Sequence, residues 1–131
     1  SPNMNFCCGD VSTTHFPSKS FDIVMNSTMM SSILDDALAE RIVDEMKRLL
    51  KPSGMIIWYD MRYDNPFNKN VRGYSKQKIR DLFPGADIRF RSVTIPPPIF
   101  RKLPLPGWLY HLLHLIPLFR SHYLCAVRFN H

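Results

Sequence analysis

FDIVMNSTMMSSILDDALAERIVDEMKRLLKPSGMIIWYD, residues 21–60, is the stretch that decides the fold. It opens on FDIVM (21–25), apolar and β-branched without alternation, the pattern of a strand buried on both faces. After the polar NSTMMSS, apolar residues recur at Leu34, Leu38, Ile42, Met46 and Leu49, which is helical spacing. Asp35 and Asp36 suit the N-terminus of that helix, and Lys47, Arg48 and Lys51 suit its C-terminus. Pro52-Ser53-Gly54 should end it, and MIIWY (55–59) follows as a second continuous apolar strand closed by Asp60. Strand, helix and strand, with both strands fully apolar, predict a right-handed crossover in a parallel α/β sheet.

Upstream, MNFCC (4–8) is a short apolar run expected to be a further buried strand, closed by Gly9-Asp10 and followed by the polar loop VSTTHFPSKS. Downstream, residues 61–74 are polar and turn-rich. SKQKIRDLF (75–83) reads as a short helix with Ser75 as N-cap, stopped by Pro84-Gly85. DIRFRSVTI (87–95) alternates in part through Ile88 and Phe90, as a half-exposed strand does. PPPIFRKLPLPG (96–107) is irregular, WLYHLLHLI (108–116) has helical character, and HYLCAVRF (122–129) reads as a closing strand. Two late strands joined by a long excursion predict an antiparallel pair at the sheet edge.

With 131 residues the chain is sized for one domain. A net charge of +6 favours anionic partners, although no recognised nucleic-acid motif accompanies it. Cys7, Cys8 and Cys125 are odd in number and irregular in spacing, which argues against a disulfide framework or a zinc site and for buried free thiols in a reducing cytosol. The start, SPNMNF, lacks the basic and long apolar regions of a signal peptide. The longest apolar stretch, GWLYHLLHLIPLF, is too short to span a bilayer, so a cytoplasmic location is expected. Ile99 to Arg120 fits either a peripheral membrane contact or a cap packed over the acceptor side. His111 and His114 read as packing or surface residues rather than metal ligands, and no metal is expected. Tyr74 and Lys78 match the Y-x-x-x-K of short-chain dehydrogenases, without the serine and glycine loop that chemistry needs.

Ligands of open parallel sheets gather beyond the carboxyl ends of the strands. Three such ends can be placed: Gly9-Asp10, Asn26-Ser27-Thr28 and Asp60-Met61-Arg62. Each turns polar directly after an apolar run, and two carry an acid.

CCGDVSTTHFPSKSFDIVMNSTMMSSILD followed by EMKRLLKPSGMIIWYD resembles the second half of a class I S-adenosylmethionine-dependent methyltransferase. The likeness extends over residues 4–129, with YDMRYDNPFNKNVRGYS and FRSHYL similar to members acting on small molecules or glycans. It implies a Rossmann-like sheet of order 3-2-1-4-5-7-6, entered here at strand three and continuing to strand seven. The domain would then be single and partial over 1–131, with cofactor-side strands and helix in 1–60 and acceptor-side loops, helix and antiparallel edge in 61–131. The resemblance implies that Asp10 accepts a hydrogen bond from the adenine amine, since a carboxylate is acceptor-only, and that Val11 lies beside the ring. Asn26, Ser27 and Thr28 would lie near the methionine part of S-adenosylmethionine, whose product is S-adenosylhomocysteine. Arg62, Tyr63, Asn65 and Arg72 would face the acceptor, with Asp60 as first candidate for a base and His15 as second.

One departure stands out. The five glycines, at 9, 54, 73, 85 and 107, form no G-x-G pair, so the loop that would hold the methionine moiety is not in this chain. Without strands one and two, strand four should present an open apolar edge and invite a homo-oligomer. The leading expectation is methyl transfer to a small-molecule or glycan-like acceptor, requiring an N-terminal half. The alternative is a non-catalytic remnant acting as a binding or oligomerisation module.

Overall fold

The computed structural model describes residues 3–66, 68–93 and 120–129. Its elements run β1 (Phe21–Ser27), a 3₁₀ turn (Met30–Ser32), α1 (Asp36–Leu49), β2 (Leu50–Met61), α2 (Lys76–Leu82), β3 (Ala86–Val93) and β4 (His122–Phe129). The sheet order is β1-β2-β4-β3. β1 and β2 are parallel, while β4 lies antiparallel to both β2 and β3. The α/β crossover and the antiparallel edge pair are therefore both present, and together they form the 4-5-7-6 half of the expected sheet.

Each helix follows from its caps and its stripe. The Asp35 side chain accepts from the Leu38 amide at 3.1 Å, and Ala39, Ile42, Val43 and Met46 form the buried face of α1. Ser75 caps α2 through the Lys78 amide, and Ile79 is the residue this short helix buries. Both helices join one core with Ile56, Trp58, Tyr123, Cys125 and Val127 from β2 and β4. Trp58 sits at its centre, edge-on to Tyr74 at 5.1 Å and to Phe83 at 5.9 Å.

Three expectations are corrected. Residues 4–8 form no strand: they lie exposed, Phe6 is 91% accessible, and Cys7 and Cys8 face solvent rather than a core. Among the described residues this run has no partner strand, so no ladder satisfies its amides. β1 is not buried on both faces, since Ile23 and Met25 are 54% and 60% exposed. It is an edge strand, and only the side of Val24 and Asn26 turns toward the core. Finally, β2 begins at Leu50 and carries Pro52-Ser53-Gly54 as an irregularity, with the register stepping from Phe21↔Leu50 to Ile23↔Met55. Gly54 is required there, because a Cβ would lie 2.9 Å from the Asp22 carbonyl oxygen.

Among the described residues no helix is long and apolar enough to cross a membrane. The expected helix at 108–116, its His111 and His114, and most of the stretch from Ile99 to Arg120 lie outside the described residues.

Candidate functional site

The parallel pair β1–β2 ends in a buried polar knot. Asp60, at 0% exposure, has come to rest opposite the end of β1. Its Oδ2 accepts from Asn26 Nδ2 and from the Ser31 amide, both at 3.2 Å, and its Oδ1 accepts from the Met61 amide at 2.9 Å. Asn26 is itself only 2% exposed, and its Oδ1 has no hydrogen-bond partner among the described residues. A buried amide oxygen without a donor is costly, so this atom marks a place where a ligand donor would be welcome.

Thr28 sits just beyond, at φ 53°. A β-branched residue in the left-handed region is strained by about 1–2 kcal/mol. Two bonds hold it there: its amide donates to the Tyr59 carbonyl at 2.8 Å and its Oγ1 to the Ser27 carbonyl at 2.9 Å. Strain of this kind, kept by surrounding bonds, concentrates at functional turns. The Ser31 carbonyl then accepts from the Arg72 amide at 2.8 Å, and the Met61 carbonyl from the Tyr74 amide at 2.7 Å, which draws the 62–74 loop onto the same strand ends.

The expected site residues divide into two groups. Asn26, Thr28, Asp60 and Arg72 are joined through Ser31 and Tyr59, and Ser27 closes β1 beside them, exposed. Arg62 follows β2 directly, its Cζ 4.3 Å from the Tyr63 ring centroid. Asn65 accepts from the Asn68 amide inside the loop. The Arg72 guanidinium donates to Tyr74 Oη and to Asp36 Oδ1. Burial works against its charge, and the bonds to Asp36 and Tyr74 outweigh it, so its pKa is raised.

Asp10, Val11 and His15 form the second group, in an exposed loop laid along α1. Asp10 Oδ1 accepts from both the amide and the hydroxyl of Ser12 at 2.8 Å, which lowers its pKa and keeps it ionised. That loop is fastened by Glu45, which takes Thr14 N at 2.9 Å, Thr14 Oγ1 at 2.6 Å and the Arg48 guanidinium. The Arg48 and Thr14 bonds bring the Glu45 pKa down to about 2. Among the described residues no hydrogen bond or ion pair connects Asp10, Val11 or His15 to the Asn26–Asp60 knot.

Asp60, the first candidate for a base, sits at the heart of this knot. Its fully enclosed carboxyl group already holds three donors and positions Asn26 and Ser31. Sequence reading passed over His122. It opens β4 opposite Met61, stacks on Tyr59 with centroids 4.9 Å apart, and has Nδ1 2.8 Å from Ser121 Oγ. Burial lowers its pKa, against a weaker opposing effect of Asp60, so the imidazole is neutral near pH 7. Its signal lay in the strand register, not in any local motif. Cys125, by contrast, has its thiol pushed up to about 12 by burial and is no nucleophile.

The residues present suit part of S-adenosylmethionine. Asp10 is an exposed acceptor-only group fit for an amine, and Asn26 offers an unmet acceptor at the end of β1.

Residues 1–58 match the family model of the methyltransferase domain. None of the curated proteins matches the chain. Among solved structures, the chain is similar to one of a complex with the Haloferax volcanii Trm112 methyltransferase activator, at 17% identity and TM-score 0.68, covering 99% of this chain and 64% of that one. A protein from Pyrococcus horikoshii is similar at 15% identity and TM-score 0.65, covering 98% and 60% respectively. An S-adenosylmethionine-dependent methyltransferase from Methanosarcina mazei is similar at 15% identity and TM-score 0.62, covering 100% and 74%. The chain thus spans less than two thirds of the first two of these structures.

Proposed function

From a chain whose residues 1–58 match the methyltransferase domain family and whose fold is that of S-adenosylmethionine-dependent methyltransferases, we propose a function in methyl transfer to a small-molecule or glycan-like acceptor. The observation that carries this reading is the knot at the ends of β1 and β2, where Asn26 presents an unmet acceptor beside the strained Thr28. S-adenosylmethionine, when bound, supplies a methyl group on a sulfonium.

The chain's own residues bind and orient. Asp10 accepts from the adenine amine with Val11 beside the ring, and Asn26, Ser27 and Thr28 line the methionine side. A glycine loop from outside these 131 residues completes the cofactor cage. Asp60 holds Asn26 and the 3₁₀ turn in place, and Arg62, Tyr63 and Asn65 border the acceptor. In-line alignment and exclusion of water supply most of the acceleration. Where the acceptor atom is a hydroxyl oxygen, the neutral His122 at the same sheet end takes its proton.

Binding of S-adenosylhomocysteine tests this reading. Asp10→Ala removes one charge-assisted hydrogen bond, about 1.5–3 kcal/mol, and should weaken binding about tenfold or more. Equal affinity in the variant would remove Asp10 from the cofactor site.

The open edge of β1 supports a second element of the proposal, self-association. Phe21, Ile23 and Met25 project from a strand that pairs on one side only. Light scattering should find the chain as a dimer and Ile23→Lys as a monomer. A monomeric parent chain would discard this element.

A further inference from the structure

Phe90 of β3 and Tyr123 of β4 meet edge to face, with centroids 5.7 Å apart. Three cations from two other segments gather around these rings. Arg62 Cζ lies 4.9 Å from the Tyr123 centroid. Lys76 Nζ lies 5.7 Å from Phe90 and 5.9 Å from Tyr123, and Arg80 Cζ lies 5.3 Å from Phe90.

Lys76 and Arg80 are exposed neighbours four apart on α2, where like charges repel. Neither forms an ion pair with a carboxylate among the described residues. Ring faces offset part of that repulsion but leave the positive potential unneutralised. The register fixes where this potential points. Met61 and Val93 both pair with His122, so Arg62, Ser92 and Tyr123 stand at the same end of the sheet as the Asn26–Asp60 knot. Arg120, donating to the Ser92 carbonyl at 3.0 Å, adds a further cation there.

We propose that this cation-and-ring wall binds a phosphate or diphosphate group carried by the acceptor. The inference deepens the methyl-transfer reading and rests on it for the identity of the ligand as acceptor. Lys76 and Arg80, two exposed cations on one helix face with no carboxylate paired to them among the described residues, suit a doubly charged anion, and guanidinium forks match phosphate oxygens. Tyr123 is too enclosed to stack on a nucleobase, which favours a sugar or lipid phosphate over a nucleic acid.

The experiment titrates the 131-residue chain with pyrophosphate by calorimetry, and with phosphatidylcholine vesicles containing phosphatidic acid by flotation. Saturable binding to pyrophosphate points to a soluble phosphorylated acceptor, and binding to vesicles alone points to a lipid-linked one. In either arm the double variant Lys76→Ala, Arg80→Ala should bind at least tenfold more weakly, while Arg128→Ala, at the opposite sheet end, should bind as the parent does. Both side chains are exposed, so the double variant should keep its fold, checked by circular dichroism. The proposal is overturned if neither probe binds saturably, or if Arg128→Ala weakens binding as much. Binding of S-adenosylhomocysteine, measured separately, tells the two readings apart: its persistence without a phosphate response removes this proposal alone, and a phosphate response without it keeps the phosphate site but removes its assignment to a methyl acceptor.

Discussion

Asp60→Ala should destabilise the chain by about 2–5 kcal/mol, read as a lower urea midpoint at unchanged slope. The side chain is fully buried, and its loss leaves Asn26 Nδ2 and the Ser31 amide without their acceptor. Each abandoned buried donor costs about 1–3 kcal/mol. Asp60→Asn should cost less, because its amide oxygen can take the place of Oδ2 and accept from Asn26 and Ser31, leaving its new amide nitrogen against the Met61 amide alone. The loss also reaches function: without Asp60 the Asn26 side chain and the Ser31 amide lose the acceptor that joins them, so S-adenosylhomocysteine binding should fall alongside stability. A double-mutant cycle with Asn26→Leu separates the two. The coupling energy between the sites should be at least about 1 kcal/mol, and strictly additive losses would show that the knot does not act as a unit.

Trp58→Ala should cost about 3–5 kcal/mol, a large share of the stability of a small domain. Trp58 is fully enclosed on the covered face of β2 and contacts both Tyr74 and Phe83, so its removal opens a cavity between the sheet and α2. Its indole N–H has no hydrogen-bond partner among the described residues. Trp58→Phe therefore gives up area but no bond, and should cost less than half as much. Equal losses for the two variants in urea unfolding would mean that the indole nitrogen, not the packing, is what the core depends on.

Much of this architecture is legible in the sequence, for local physical reasons. The apolar stripe from Leu38 to Met46 and the caps Asp35 and Ser75 specify their helices without reference to the rest of the chain. HYLCAVRF was readable as a strand to the residue. What escaped depends on neighbours. MNFCC has a strand's composition but no partner ladder, and FDIVM has a buried strand's composition at a sheet edge. The site divides in the same way. Asn26 and Asp60 stood out because each follows an apolar run. That Asp60 faces inward, and that Ser31 meets it, follows from a 3₁₀ turn with no sequence signature. Lys76, Arg80 and His122 became site candidates only through the β3–β4 register, which brings together residues far apart in the chain.

The central claim is that the loop at Asp10 and the strand end at Asn26 are two walls of one cofactor site. Amide NMR shifts of the chain during titration with S-adenosylhomocysteine test it most directly. The account predicts saturable shifts at Asp10–Thr13 and Asn26–Ser32 with one shared affinity, and none along β3. Shifts confined to one of these segments, or shifts at the two that titrate with different affinities, would contradict it.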